Sequence, residues 1–366
     1  MNSRERIIAA LNGQDMDRMP ICEIGVWPET ERRWRTEGMP ADISLEDYFN
    51  LDKIAIFSYN PSLMLPKKVL EENEKYIISL DGDGNQQKVL KKDGQSPPHL
   101  IKSSVTVPDD WMKLRHNLKA DIARFEKYEI EPVFGQPLKE SNKALYEKAK
   151  AEGTFTVISP SEPCWYFLML LGEEDALCTI ALDPDFAEQI FSDYTDFVLD
   201  MLKTLLSNDY RFDALWVFSD MCYKNGMLFS PEFFHKHLVA YQKRIFGFAR
   251  ENGMKVIYHC DGYVGDFIPL LLESGVDCVQ PLEVRAGNDI RQYIDKYQDT
   301  SFIGNINADV LASGKKESIY EEVSSKVQAA KNSNRYIFHS DHSVPVTVSL
   351  EDYKYAIELA NQFGRY

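Results

Sequence analysis

The 366-residue sequence contains no CxxC pair, no apolar run of membrane-spanning length and no low-complexity tract or short repeat. Its six cysteines are scattered through a chain that is too long to need disulfide staples, which favours reduced thiols and a cytoplasmic location. The amino-terminal stretch also lacks the apolar core of a signal peptide. These absences argue against a secreted or membrane-embedded protein.

Positive charge is in deficit. The chain carries 57 acidic against 41 basic residues and a formal net charge of −16, and such a surface repels phosphate backbones and anionic lipid headgroups. We therefore expect a small-molecule substrate and neither a nucleic-acid nor a membrane partner. An acidic exterior can still surround a locally basic pocket, so anionic small substrates stay open, and nothing in the sequence indicates an oligomeric state.

The distribution of apolar residues predicts an α/β fold. Short β-branched or aromatic runs alternate with longer helical stretches, as in parallel α/β proteins. Eight runs read as strands, over 19–25, 53–58, 154–159, 214–219, 255–259, 278–281, 301–305 and 336–339. Helices are predicted over 139–152, 185–206, 231–252, 317–330 and 350–363. Eight strands with intervening helices predict a (β/α)8 (TIM) barrel.

The alternation breaks between the second and third predicted strands. Within this stretch, residues 76–92 read as a hairpin that turns on Gly82, Asp83 and Gly84. We interpret the stretch as an insertion. The sequence thus predicts one domain over residues 1–366, with an insertion at about 61–152.

Polar and aromatic residues follow many of the predicted strands. Active sites of TIM barrels lie at the carboxyl ends of the strands, so these residues are expected to share one mouth. Among them, Asp220 and Glu283 are candidate catalytic groups. Candidate substrate contacts are Trp27, Tyr59, Tyr223, Lys224 and Asn305. Loop residues are often polar for solvation alone, so part of this set is expected to be structural.

The strongest pattern lies at the end of the fifth predicted strand, in KVIYHCDG. Side chains alternate along a strand, so His259 and Asp261 are expected to face the same way while Cys260 faces the opposite way. Gly262 then allows a sharp turn. The alternative interpretation is that His259 merely ends the strand and Asp261 caps the following helix.

The last predicted strand runs into a second polar segment, HSDHSVPVTVSLED. A histidine, a carboxylate and a second histidine from two strand ends make a plausible metal site with an open position for substrate. We predict that His259, Asp261 and His342 bind the metal, and that His339 is a strand-end or outer residue. The alternative is that Asp341 and His342 only satisfy exposed backbone groups.

These same segments resemble the uroporphyrinogen decarboxylase (URO-D) superfamily, as do the opening SRERIIAALNGQDMDRMP and the turn GNIN. The superfamily includes the decarboxylase of haem synthesis and zinc-dependent methyltransferases that move methyl groups between corrinoid proteins and thiols. The resemblance covers nearly the whole chain and implies a TIM barrel.

The methyltransferase branch binds zinc through a His-x-Cys pair and a distant cysteine before the last helix. The resemblance places His259 on the family histidine, Asp261 on the first cysteine and His342 on the second. Replacing two thiolates by a carboxylate and an imidazole makes the site harder, so zinc, manganese or iron would suit it. The trio also matches the two-histidine, one-carboxylate iron site of oxygenases, which usually have another fold.

The decarboxylase branch has a histidine at the position of His342, but its other signatures are missing. CEIGVWPETERRW replaces its arginine-rich substrate motif, and Ser58 and Tyr59 stand where its catalytic aspartate is expected. Without these groups the chain is not expected to bind and decarboxylate a polycarboxylate porphyrinogen.

The leading interpretation is therefore a metal-dependent methyltransferase that acts with a corrinoid protein or a small methyl donor. Zinc or another divalent metal is the expected cofactor, with His342, Asp261, Asp220 and Glu283 as catalytic groups.

Two alternatives remain at the level of the sequence. The first is a metal-free decarboxylase for a small carboxylic acid, in which His342 and Asp261 act as acid and base and Lys224 or Arg285 pairs with the carboxylate. The second is a non-catalytic protein that binds a tetrapyrrole or corrinoid in an aromatic mouth near Trp27, Tyr59 and Trp165.

Overall fold

The structure is a computed structural model, and it describes residues 1–91, 98–128 and 141–366. Parts of the predicted insertion, residues 92–97 and 129–140, and the start of the helix predicted at 139 lie outside the described residues. The strands are β1 Ile54–Phe57, β2 Lys68–Glu72, β3 Tyr76–Leu80, β4 Gln86–Leu90, β5 His99–Lys102, β6 Phe155–Ile158, β7 Ala214–Phe218, β8 Cys222–Tyr223, β9 Gly226–Met227, β10 Lys255–His259, β11 Cys278–Gln280, β12 Ser301–Ile306 and β13 Tyr336–Ser340.

Helices alternate with these strands. They are α1 Ser3–Asn12, α2 Pro28–Thr36, α3 Leu45–Phe49, α4 Pro108–Leu114, α5 Ala123–Glu126, α6 Asn142–Ala151, α7 Pro163–Leu171, α8 Glu173–Leu182, α9 Pro184–Ser207, α10 Pro231–His237, α11 Val239–Glu251, α12 Ile268–Ser274, α13 Ile290–Lys296, α14 Ala308–Leu311, α15 Lys316–Ala330 and α16 Leu350–Phe363. In the described ranges, no helix is both long enough and apolar enough to cross a bilayer.

Seven parallel strands form one curled sheet in the order β1-β6-β7-β10-β11-β12-β13. They coincide with seven of the eight strands predicted from the sequence. The α/β class with a parallel sheet is thereby confirmed, because each neighbouring pair in this order is hydrogen-bonded in parallel register.

The first predicted strand is not a strand. Residues 19–25 make a single isolated bridge, the parallel one between Ile21 and Phe338 of β13. The Pro20 carbonyl accepts a hydrogen bond from the Phe338 amide, and the Cys22 amide donates to the Phe338 carbonyl. Pro20 has no N–H with which this pairing could extend toward the start of β13. On its other side this segment is held by Asp52, whose Oδ2 accepts the Ile21 amide at 2.9 Å.

Between β1 and β6 the chain forms a separate four-stranded antiparallel sheet in the order β2-β3-β4-β5. β3 and β4 are joined by a tight turn in which Asp81 Oδ1 accepts the amides of Asp83 and Asn85. Gly84 sits in this turn at φ +79°, a left-handed conformation that suits glycine.

Alternate side chains of the parallel strands pack in a smaller apolar cluster, the inner core, and this packing determines which strand-end side chains share a cavity. Trp216, Ile257 and Ile337 belong to this core and pack with α1. Because side chains alternate along a strand, the residues two positions later point the same way. Phe218, His259 and His339 therefore lie above the inner core, at the carboxyl ends of β7, β10 and β13.

Candidate active site

A cavity of about 530 Å³ opens at the carboxyl ends of the parallel strands. Its polar wall is formed by Asp220, His259, Asp261 and His342. These residues come from the ends of β7, β10 and β13 and from the loops that follow them. The structure thus brings together the three predicted metal-binding residues and one of the predicted catalytic carboxylates.

His259 is oriented by a neighbouring strand. β10 pairs with β11 so that His259 lies opposite Gln280, and the His259 Nδ1 atom lies 2.6 Å from Gln280 Oε1. An amide oxygen can only accept, so this contact places a ring proton on Nδ1, and in the neutral ring Nε2 carries the lone pair. The Phe218 ring packs against the imidazole at 4.8 Å between centroids. Nε2 faces the carboxylates of the cavity.

Two aspartates lie in front of that nitrogen. His259 Nε2 is 3.5 Å from Asp220 Oδ1 and 3.8 Å from Asp261 Oδ1. Asp220 Oδ1 also accepts the backbone amide of Asp261 at 3.0 Å, which fixes the two acids relative to each other. The Oδ1 atom of Asp261 is buried and has no hydrogen-bond partner. A buried carboxylate oxygen without a donor is costly unless a cation occupies the space in front of it.

His342 completes the group from the opposite loop. Its Nε2 atom lies 3.3 Å from Asp261 Oδ2. This hydrogen bond to Asp261 outweighs partial burial and raises the pKa of His342 to about 8. Burial alone would raise the pKa of the Asp261 carboxyl, but the hydrogen bond to His342 and the charges of both histidines hold it below its ordinary value. Without a metal, the pair is an ion pair at neutral pH.

This donor set fits a divalent metal ion. Ligand atoms of Asp220, His259 and Asp261 all lie within 4.8 Å of one another, and His342 adjoins Asp261 on its other oxygen. The Gln280 contact is the outer hydrogen bond that metal-binding histidines usually make. Two imidazoles with one or two carboxylates suit zinc, manganese or iron. Cys260 is excluded as a ligand in this conformation, because its Sγ contacts the Asp261 carbonyl and it is fully buried in the outer core, the larger apolar cluster that includes Tyr258 and Phe267.

The other predicted site residues have different positions. Trp27 lines the cavity. Tyr223 and Lys224 belong to the β8–β9 hairpin, where Tyr223 is half exposed and Lys224 is exposed. This hairpin lies so close to Gly262 that a Cβ there would be 2.7 Å from the Tyr223 carbonyl. Glu283 Oε2 accepts the Gly262 amide at 3.0 Å, so Glu283 holds the turn after His259.

Two predicted substrate contacts, Tyr59 and Asn305, are corrected by the structure. Asn305 is fully buried, and its amide group bonds to the backbone of Leu282, Asn288 and Ile290. Tyr59 is buried as well and packs against Phe197. Neither residue lines the cavity among the described residues. Both are core residues near the ends of strands, and a polar side chain at such a position does not by itself indicate a substrate contact.

Asp341 and His339, the other ionisable side chains near the end of β13, are both buried and bonded to the protein. Asp341 accepts the amides of Val284 and Ala308, as expected if it satisfies backbone groups. His339 is buried, with Nδ1 on the Ser340 carbonyl and Nε2 3.0 Å from Glu23 Oε1. Both ring nitrogens thus have protein partners, and the absence of metal binding by His339 stays a prediction.

The predicted site residues did not include Gln280, Phe218 and Trp165, all of which line the cavity. Gln280 is the polar end of a buried strand, a signal that is visible in CVQP. Its contact with His259 depends on the register between β10 and β11, which no local pattern encodes. The sequence indicates Trp165 only as part of the aromatic mouth of a tetrapyrrole- or corrinoid-binding protein.

Comparisons with known proteins find a matching family and a solved structure of similar fold. The family model described as uroporphyrinogen decarboxylase (URO-D) matches residues 110–363. Among solved structures, a methyltransferase from Methanosarcina mazei is similar, with a TM-score of 0.63 and 15% identity over 99% of both chains. Xylanase B from Clostridium stercorarium F9 has a TM-score of 0.33 at 14% identity, over 58% of this chain and 74% of its own, too low to inform the fold. No curated protein matches the sequence.

The sequence identity to the methyltransferase is too low for its function to be transferred to this chain, so the similarity shows a common fold. The family model covers more than half of the chain, including β6 to β13 and every polar residue of the cavity wall. The chain belongs to the uroporphyrinogen decarboxylase family.

Proposed function

We propose that this protein is a metal-dependent methyltransferase of the URO-D family. The observation that carries the proposal is the cluster of Asp220, His259 and Asp261, whose ligand atoms lie within 4.8 Å of one another around the buried Asp261 Oδ1 atom, which lacks a hydrogen-bond partner. His342 contacts the other oxygen of Asp261. Membership of a family that contains zinc-dependent methyltransferases supports it. The methyl donor or acceptor outside the cavity is proposed to be a corrinoid carried by a partner protein.

His259, Asp261 and His342 would hold the ion, and Asp220 stands beside them. A bound divalent ion supplies Lewis acidity, which lowers the pKa of a thiol or hydroxyl group that it contacts. Asp220 Oδ1 is the carboxylate oxygen nearest to His259 Nε2, and it is placed to accept the proton that such a substrate releases. Glu283 keeps the turn at Gly262 closed and thereby positions Asp261.

The direct test is methyl transfer between methylcobalamin and a thiol, followed by the visible spectrum of the corrinoid. Purified protein is compared with protein that has been treated with a chelator and then reloaded with zinc, manganese or iron. The proposal requires that turnover disappears with the metal and returns with it. A spectral shift on corrinoid addition without turnover would instead support a non-catalytic binding protein.

One observation favours the decarboxylase alternative. Because the pKa of His342 is raised to about 8, this residue is protonated at neutral pH in the metal-free protein and could protonate a carbanion. However, the cations proposed to bind the substrate carboxylate are elsewhere, since Arg285 is paired with Asp309 and Lys224 is exposed on the hairpin. Carbon dioxide release that a chelator does not affect would identify this activity.

Metal affinity is expected to depend on pH through His342. A ligand must be deprotonated to bind, and the raised pKa of His342 means that its proton has to be displaced below about pH 8. The apparent affinity for zinc should therefore increase between pH 6 and pH 8, by up to about tenfold per pH unit for one proton, and then level off. Competition with a chromophoric chelator measures this slope.

The matched control is His235→Gln, because His235 is an exposed histidine that pairs with Glu273 far from the cavity. This variant should reproduce the slope of the unmodified protein. In His342→Gln the slope between pH 7 and pH 8 should disappear. An affinity that stays constant from pH 6 to pH 8 in the unmodified protein would argue against His342 as a ligand.

We also propose that residues 19–25 close the curled sheet into a complete barrel. The segment lies beside β13 through the Ile21–Phe338 bridge and is tied by Asp52 to the start of β1. In this view the chain is one domain, and residues 61–152 are an insertion that contributes the four-stranded antiparallel sheet.

A further inference from the structure

The described wall of the cavity combines carboxylates, histidines and aromatic rings, without lysine or arginine. Its acidic groups are Asp220 and Asp261, and its aromatic walls are Trp27, Trp165 and Phe218. In the described part of the chain, no lysine or arginine lines it. A substrate that carries a carboxylate, sulfonate or phosphate would meet two carboxylates, and the one cationic side chain described there, the His342 imidazolium of the metal-free protein, is already paired with Asp261.

A bound divalent metal ion would not make the cavity favourable for an anion. A divalent ion would bring two positive charges, which Asp220 and Asp261 neutralise. With the metal bound and His342 deprotonated as its ligand, the described side chains of the cavity add no positive charge that would favour an anion. The aromatic walls offer the complementary interaction, because the faces of tryptophan and phenylalanine rings attract quaternary ammonium groups. Trp27 and Trp165 line the cavity, and both are partly exposed.

We propose that the substrate bound in this cavity is a small organic cation with a methylated ammonium or sulfonium group. The proposal rests on the methyltransferase function proposed above and names its substrate class. Aromatic rings would enclose the methyl groups, and the carboxylates would balance the charge. This differs from the polycarboxylate that a haem-pathway decarboxylase requires.

A cationic donor also agrees with the chemistry of methyl transfer. A thiolate or a reduced corrinoid supplies the electron pair of the new bond to the methyl carbon. The carbon–nitrogen or carbon–sulfur bond breaks, and its electron pair stays on nitrogen or sulfur. The cation thus departs as a neutral amine or sulfide, no proton is consumed and no external oxidant is needed.

The test compares three molecules of nearly the same shape and different charge. These are choline, 3,3-dimethylbutan-1-ol and 3,3-dimethylbutanoate, titrated into metal-free protein and into zinc-loaded protein. Tryptophan fluorescence reports on the cavity, because Trp34, Trp111 and Trp216 are fully buried whereas Trp27 and Trp165 line it. Calorimetry provides the dissociation constants.

In metal-free protein, choline should bind about tenfold more tightly than the neutral alcohol, and the carboxylate should bind most weakly. Trp27→Leu and Trp165→Leu should each reduce the preference for the cation, whereas Tyr320→Leu, at an exposed aromatic residue outside the cavity, should leave it unchanged. Equal or tighter binding of the alcohol or the carboxylate would overturn the proposal, as would an undiminished preference in both tryptophan variants.

The two proposals can fail separately. Cation preference is measured without metal, so it does not depend on whether the protein transfers methyl groups. If the protein transfers methyl groups but prefers the neutral or anionic isostere, the substrate class is wrong and the function stands. If the cation is preferred but no transfer occurs with any metal, the function is wrong and the binding site stands.

Discussion

Asp261→Ala is expected to lower the affinity for zinc by more than about 100-fold. Asp261 is the residue that links the two halves of the site, since it lies between His259 and His342. Its loss leaves two imidazoles as the remaining predicted ligands, one at the end of β10 and one in the loop after β13. Removal of an outer hydrogen-bond partner of a metal ligand typically costs about 10–100-fold in affinity, and loss of a ligand should cost more. Calorimetric titration of metal-free protein measures the change.

Two further variants, one at Cys260 and one at Asp261 itself, test which side chain is the ligand. Cys260→Ser changes the adjacent side chain, which is buried in the outer core and does not face the metal, so zinc affinity should stay within a few-fold. Asp261→Cys introduces a thiolate, which should shift selectivity toward zinc over manganese or iron. If Cys260→Ser lost zinc and Asp261→Ala retained it, the ligand would be Cys260.

Asp52→Ala is expected to reduce the free energy of unfolding by about 3–5 kcal/mol, the range for a buried ion pair that loses one partner. The Asp52 side chain is 1% exposed and forms ion pairs with Arg6 and Arg18. It also accepts the Ile21 amide. Its removal leaves the mostly buried Arg6 guanidinium with one partner fewer and releases the 19–25 segment. Urea denaturation followed by circular dichroism measures the loss.

The comparison for this prediction is Asp200→Ala. Asp200 forms an exposed ion pair with Lys203 one helical turn away, and such a pair contributes only about 0.3–0.5 kcal/mol. The Asp52 variant should also bind choline more weakly, because the released segment continues into the cavity wall at Trp27. A loss of less than about 1 kcal/mol in Asp52→Ala would show that this aspartate does not anchor the segment.

Strong local patterns in the sequence predicted most of the parallel sheet. Runs such as KVIYH and RYIFH are short, apolar and followed by polar turns, and the structure has strands at both. The prediction of a strand over residues 19–25 was wrong because the backbone pairing there is irregular. Pro20 has no N–H to donate, and the Ile21 amide bonds to the Asp52 side chain. The long helix predicted over 231–252 is interrupted at Leu238, where φ is −123°. No helix-breaking residue marks this point.

The site was predictable to the extent that it depends on alternation along one strand. His259 and Asp261 face one cavity while Cys260 faces the core, as their spacing indicates. The contact between Asp220 and His259 depends on β7 and β10 being neighbours, and the Gln280 contact depends on the β10–β11 register. Such relations arise from tertiary packing. The burial of Asn305 has the same origin.

The most direct test of a metal centre at this position is anomalous diffraction from crystals of the protein grown with zinc. Data collected on both sides of the zinc absorption edge distinguish zinc from every other bound atom. We expect one strong peak per chain, bounded by His259, Asp261 and His342, and no peak in crystals of the Asp261→Ala variant. No peak in crystals of the unmodified protein, or a peak only at other residues, would contradict the proposed metal centre.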